Sequence, residues 1–354
     1  MTKIKCVPQI VILFSLLTLC GCASRGSVES VSISYLWDYA TGDYLRGTAS
    51  VGHGLIYVGS DDNAFHAIDA QTGEGLWQYE TEDNISSRPV LFEDMVCFGA
   101  WDGGVYGLEA ATGERLWRYE TDGWITAPLL LDRGIIYVGS HDGYFYALDA
   151  TEGNLLWRYR TGGYIQGGAA LTEDLVLFGS ADNYFYALDR NDGSLVWRHG
   201  TGGDILSAPV VHDNRVYFGS CDRTLYALNL AEGEPAWTFA ADYAVACTPI
   251  VHEGTLYVGS SGGQLYALDG QKGKFLWSHG TEGMIRSAPR VWSDVILVGS
   301  DDGALYALDR ISGEEAWSYQ TGGAIIADVT IDDDRLYVGS TDSRLYAFEL
   351  EGGS

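Results

Sequence analysis

The sequence repeats itself every forty residues. Gly59, Gly99, Gly139, Gly179, Gly219, Gly259, Gly299 and Gly339 form one comb, each followed by Ser except Gly99, which precedes Ala100. Trp37, Trp77, Trp117, Trp157, Trp197, Trp237, Trp277 and Trp317 form a second comb of the same period, in phase with the first. No repeat carries an insertion. Two combs in phase over most of a 354-residue chain restrict the fold to copies of one supersecondary unit, each burying its apolar faces against its neighbours.

Within one unit, "APLLLD" (127–132), "IIYVGS" (135–140), "YFYALD" (144–149) and "LLWRYRT" (155–161) predict four strands. "HDG" and "TEG" supply turns, since Asp and Gly suit the backbone a tight turn demands. Forty residues holding four strands leave no room for a helix, and 46 glycines with 13% aromatic residues agree. The expected fold class is all-β, an eight-bladed β-propeller of four-stranded antiparallel blades. Its inner strands are apolar on both faces, as sheets packed between sheets require. The first unit begins with its outer strand alone, 35–41, and the last stops at "YAFELEGGS". This predicts that 35–41 pairs with 344–349, completing the last blade and closing 33–354 without an open seam.

The first residues read as a targeting segment. Lys3 and Lys5 precede "VPQIVILFSLLTL", a stretch too short to span a bilayer comfortably, and "LCGC" follows. Leu19, Gly21 and Cys22 resemble a bacterial lipobox, with 1–21 as signal peptide, Cys22 as lipidation site and 22–32 as linker. An ordinary signal peptide cleaved nearby is the alternative. A lipid on Cys22 would anchor the chain rather than make it span. Ala23 resembles the pattern sorted to the outer membrane in Gram-negative lipoproteins, which places the body on the periplasmic side.

The net charge of −27 repels phosphate backbones and argues against a nucleic-acid partner; its plain reading is solubility. Cys97, Cys221 and Cys247 remain beyond the leader, an odd number that leaves at least one thiol free. Cys221 and Cys247 fall at the same end of adjacent blades, either as a disulfide or as two unpaired small core residues. Cys97, within a strand, is expected to be a buried thiol. No C-x-x-C pair or zinc-type spacing occurs.

"YALDATEGNLLW" and "YALDRNDGSLVW" resemble the PQQ-type propeller repeat, A-x-D-x-x-T-G-x-x-x-W, and the resemblance covers 33–354. It implies that each comb Trp docks onto the neighbouring blade and that Asp149 and its equivalents cap the following turn. It does not imply the quinone. Quinoprotein dehydrogenases of this family carry long insertions, a vicinal cysteine pair, a catalytic Asp and a calcium site. Here there are no insertions, no adjacent cysteines after Cys22 and no D-x-D-x-D-G loop, so no cofactor, metal or catalysis is expected. An eight-bladed propeller of this type behind a lipobox resembles the lipoproteins of outer-membrane β-barrel assembly. That resemblance implies a non-enzymatic scaffold whose protein partner is the barrel-insertion machinery. The alternative is a propeller that binds a small ligand or cofactor, as a quinoprotein does.

Positions that differ between repeats are free of the blade's own demands. Residues after the Gly-Ser pair form one such column, from Asp61 through Trp101 and His141 to Asp301. Residues at the start of the innermost strand form another, from Arg46 through Gln166 to Arg286. Both should ring one mouth of the central channel, making Arg46, Asp61, Gln166, Arg286 and Asp301 candidate mouth residues. Trp124 and Tyr164 lie just ahead of that strand, so Trp101, Trp124, His141 and Tyr164 are expected to form an aromatic arc. Such an arc is a candidate partner-binding rim, or else its rings pack between loops. His141 has no assignable Ser or Asp partner, so no catalytic triad is read.

Overall fold

The computed structural model describes residues 32–352. The leader, Cys22 and most of the linker lie outside the described residues. The described chain forms eight four-stranded antiparallel sheets, in the order of the repeats. One blade comprises Leu130–Asp132, Ile135–Gly139, Tyr144–Asp149 and Leu155–Arg160. The expected propeller class is thus observed.

The innermost strand is shorter than the sequence predicts, starting at Leu130 rather than 127. The preceding residues spend their N–H groups on the neighbouring blade instead: Ile125 donates to the Ala100 carbonyl (3.0 Å) and Leu129 to that of Arg88 (3.2 Å). These bonds satisfy two backbone donors in a segment that has no ladder partner. The outer strand carries a bulge. Ala147 faces Trp157 and Leu148 faces Leu155, so Leu156 is the extra residue and stands exposed.

Ser32–Ala40 pairs antiparallel with Arg344–Glu351, with Tyr35 opposite Phe348 and Trp37 opposite Ala347. The N-terminal strand therefore closes the eighth blade as expected.

The core lies between blades rather than within one centre. Phe145 of the third blade stacks on Phe178 of the fourth with ring centroids 4.1 Å apart, inside a cluster that also takes in Tyr137, Ile165 and Tyr186. Each blade's Trp reaches across the same boundary. Trp117 donates its indole N–H to the Ala150 carbonyl (3.1 Å), and its ring lies so close over Gly153 that a Cβ there would come within 2.5 Å. Gly153 also has φ +71°, so both space and backbone require glycine. Asp149 accepts hydrogen bonds from the N–H groups of Thr151 and Glu152 (2.9 and 3.0 Å), which forms the expected turn cap.

Candidate functional site at the channel mouth

The short innermost strands converge on a central channel, and the segments before them form its rim. The two variable columns meet there because residue n before a strand faces residue n+15 after the next. Four blades make this contact with polar groups. Arg46 Nε lies 2.8 Å from Asp61 Oδ2. Trp101 Nε1 donates to Ser86 Oγ (2.8 Å). Thr126 Oγ1 and His141 Nε2 are 2.9 Å apart. Arg286 Nε lies 3.1 and 3.0 Å from the two carboxylate oxygens of Asp301. Arg46, Gln166 and Arg286 line one cavity of 440 Å³ at this mouth, as does the rest of their column. Asp61 and Asp301 stand behind it and hold the two arginines. Burial pushes the Asp61 carboxyl up, against the pull of Arg46, while Asp43, Asp62 and Asp83 add to the rise.

Trp101, Trp124, His141 and Tyr164 form a continuous ladder. Trp101 stacks on Trp124 (centroids 4.9 Å, 18°), Trp124 tilts against His141 (5.5 Å), and His141 stacks on Tyr164 (4.9 Å, 19°). Trp124 remains 47% exposed although it touches a ring on both sides. Burial holds the His141 imidazole below the usual histidine range, against the opposing effect of Asp142. Burial, with Asp204 and Cys221 beside it, pushes the Tyr164 phenol up.

The disulfide alternative does not occur, for Cys97, Cys221 and Cys247 are all free. Cys247 occupies the place that Ser87, Ser207 and Ser287 take in other repeats. Their hydroxyls donate to the carbonyls of Gly99, Gly219 and Gly299. The Cys247 thiol turns toward the seventh blade, donating to the Ser287 carbonyl (3.1 Å), and so away from Cys221 in the fifth. Cys221 sits half-buried at the mouth, its N–H bonded to the Asp204 carbonyl. Burial pushes the Cys97 and Cys247 thiols up to about 12. In the native protein Cys221 is therefore expected to be the one thiol of these three open to a thiol reagent, with all three reacting after unfolding without reductant. A single reactive thiol among them in the unfolded, unreduced chain would contradict this arrangement.

Sequence reasoning missed the residues deeper in the channel. Arg88, Arg290 and Asp328 project into it from the second, seventh and eighth blades. Arg88 and Asp328 belong to the period-forty column that starts at Thr48, two places beyond the column singled out, which was the available signal. Among the described residues no group of three or more His, Cys, Asp or Glu side chains is placed to hold a metal ion.

Two family models match the chain. One, described as the beta-propeller of the beta-alanine-activating enzyme, matches 126–354. The other, described as outer membrane protein assembly factor BamB, matches 25–163. No curated protein sequence matches. Among solved structures, BamB from Moraxella catarrhalis superposes with a TM-score of 0.79 at 21% identity, covering 90% of this chain and 100% of that one. The computationally designed Ika8 protein superposes with a TM-score of 0.80 at 18% identity, covering 89% of this chain and 99% of its own. At such identities a natural assembly factor and a designed ring are alike in fold alone. The chain belongs to the propeller family described for the beta-alanine-activating enzyme, and it is a PQQ-type propeller resembling BamB.

Proposed function

We propose that this chain is a non-enzymatic scaffold, lipid-anchored through Cys22 at the outer membrane and facing the periplasm, that holds a protein of the barrel-insertion machinery at its channel mouth. The observation that carries the reading is the ladder of Trp101, Trp124, His141 and Tyr164. Four rings from consecutive blades are held at one edge by stacking and by the Ser86 and Thr126 hydrogen bonds, so they are preorganised. Aromatic groups that reach solvent in a rigid patch bind partners with little loss of side-chain freedom. The match of 25–163 to the BamB family model covers the blades that contribute Trp101, Trp124 and His141, and favours barrel assembly as the setting. Burial disfavours the charged form of His141 within this edge.

The test is co-purification of the barrel-insertion protein with the full chain from native membranes. The wild type is expected to retain it. Trp124→Ala is expected to weaken retention about 30-fold, the effect of losing a hot-spot tryptophan worth roughly 2 kcal/mol. Melting should change little, because Trp124 is half exposed. Retention by Trp124→Ala equal to the wild type would move the contact elsewhere, and failure of the wild type would remove the assembly role.

A further inference from the structure

Behind the mouth the channel continues into a cavity of 570 Å³ that shares Arg88, Thr248 and Asp328 with the mouth cavity. Two arginines face this waist. They differ from Arg46 and Arg286 above them in one respect: the outer pair is neutralised by Asp61 and Asp301, whereas neither Arg88 nor Arg290 has an ion-pair partner among the described residues. Arg290 donates from Nε to the Val329 carbonyl (3.3 Å), and the rest of its guanidinium has no partner among the described residues. Two acidic side chains line this cavity, Asp332 and Asp328, and Asp328 also reaches the mouth cavity. The Asp328 carboxylate faces the arginines from the eighth blade. One of its oxygens is already engaged by the Ala288 N–H (2.7 Å).

The chain has 48 acidic residues against 21 basic ones, so unpaired arginines are not forced by a shortage of carboxylates. Two like charges in a half-enclosed cavity repel each other and lose hydration, and Asp328 and Asp332, neither in an ion pair with Arg88 or Arg290, offset only part of that cost. Burial lowers the Arg88 guanidinium from the usual arginine range, the charge of Arg290 adds to the lowering, and Asp328 opposes it. A bound anion would relieve both. The planar fork of arginine donors suits oxyanions whose oxygens are paired on one group. The surrounding hydroxyls of Thr248 and Thr48 already accept backbone N–H groups, from Ala208 and Asp328, and keep their own protons to donate.

We propose that the channel waist binds a small multivalent oxyanion, of the citrate or phosphate class, between Arg88 and Arg290. The site lies deeper than the aromatic rim, whose cavity also takes in Arg88 and Asp328, and its chemistry does not depend on the partner assigned to that rim. It is tested by calorimetric titration of the purified protein with citrate and, separately, with inorganic phosphate, at an ionic strength held constant with sodium chloride. One equivalent should bind in at least one titration, and which anion binds tells carboxylate from phosphoryl recognition. Arg88→Gln and Arg290→Gln are each expected to weaken binding about tenfold or more, the loss of a charge-assisted contact. Asp328→Asn, which removes one competing carboxylate, should tighten it. Should Arg88→Gln fail to fold, Arg290→Gln carries the test, because its position is held by the strand and not by an ion pair. Absence of saturable binding to the wild type, or undiminished binding in both arginine variants, would overturn the proposal.

Discussion

A chain lacking Ser32–Ala40 is expected to lose about 5 kcal/mol or more of stability and to associate through its last blade. The strand makes eight register pairs with Arg344–Glu351, from Ser32 opposite Glu351 to Ala40 opposite Arg344. It also carries buried apolar groups. Ile33 is buried among Leu336, Phe348 and Leu350, and Trp37 packs over Gly73 and against Tyr337. Losing one large aromatic from such a contact costs roughly 3–5 kcal/mol, and each lost ladder bond about 1 kcal/mol more. Deletion would also bare the edge of Arg344–Glu351, an eight-residue strand with unpaired backbone groups. Denaturant unfolding with size-exclusion chromatography measures both consequences. The exposed ion pair between Arg344 and Asp38 spans the same junction and provides a control. Arg344→Ala should cost no more than about 1 kcal/mol. A deletion mutant as stable and as monomeric as the wild type would mean that the ring does not depend on this closure.

Closure was legible because the period makes the chain its own alignment. A strand missing at one end and spare at the other is visible without any structure. The two variable columns were legible for the same reason, since their members recur at fixed places within the forty, whereas the contacts of Arg46 with Asp61 and of Trp101 with Ser86 were not. Direction was not legible. Cys247 falls near Cys221 by repeat position, yet its thiol fills a serine's place facing the opposite neighbour. Nor does periodicity show where equivalence fails. All eight comb tryptophans look alike in sequence, but those at the seam do not act alike. The indole N–H of Trp37 is buried without a partner. The carbonyl its repeat position would address, that of Ala70, already accepts from Arg335 and Tyr337. Trp317 packs edge-on against Phe348 of the last blade (5.8 Å, 83°). Arg88 lies two residues ahead of the short inner strand Val90–Phe92, a position that the repeat does not mark as part of the mouth. The short ladder leaves it facing the channel.

Gly139→Ala is expected to cost about 3 kcal/mol and to disturb the rim as well as the core. A Cβ at Gly139 would stand 2.3 Å from Ile165 Cγ2 and 2.9 Å from the Ile165 carbonyl oxygen. Neither atom is free to retreat. Ile165 is fully buried, and its N–H is bonded to the Ser140 carbonyl (3.1 Å) beside the substituted residue. Relief must come from parting the third and fourth blades, which are also joined by the Phe145–Phe178 stack. Gly54→Ala separates this clash from general backbone strain. Gly54 has φ +76° with nothing within 4 Å of its Cβ, so that substitution should cost only about 1 kcal/mol. Denaturant unfolding of the two variants compares the costs, and equal losses would show that blade contact does not set the requirement for glycine at 139. Ile165 lies between Tyr164 and Gln166, so displacing it also shifts the last ring of the ladder against His141. The Gly139→Ala protein should therefore hold its partner less well even under conditions where it remains folded. Gly54→Ala, at a turn remote from the rim, should hold it as the wild type does.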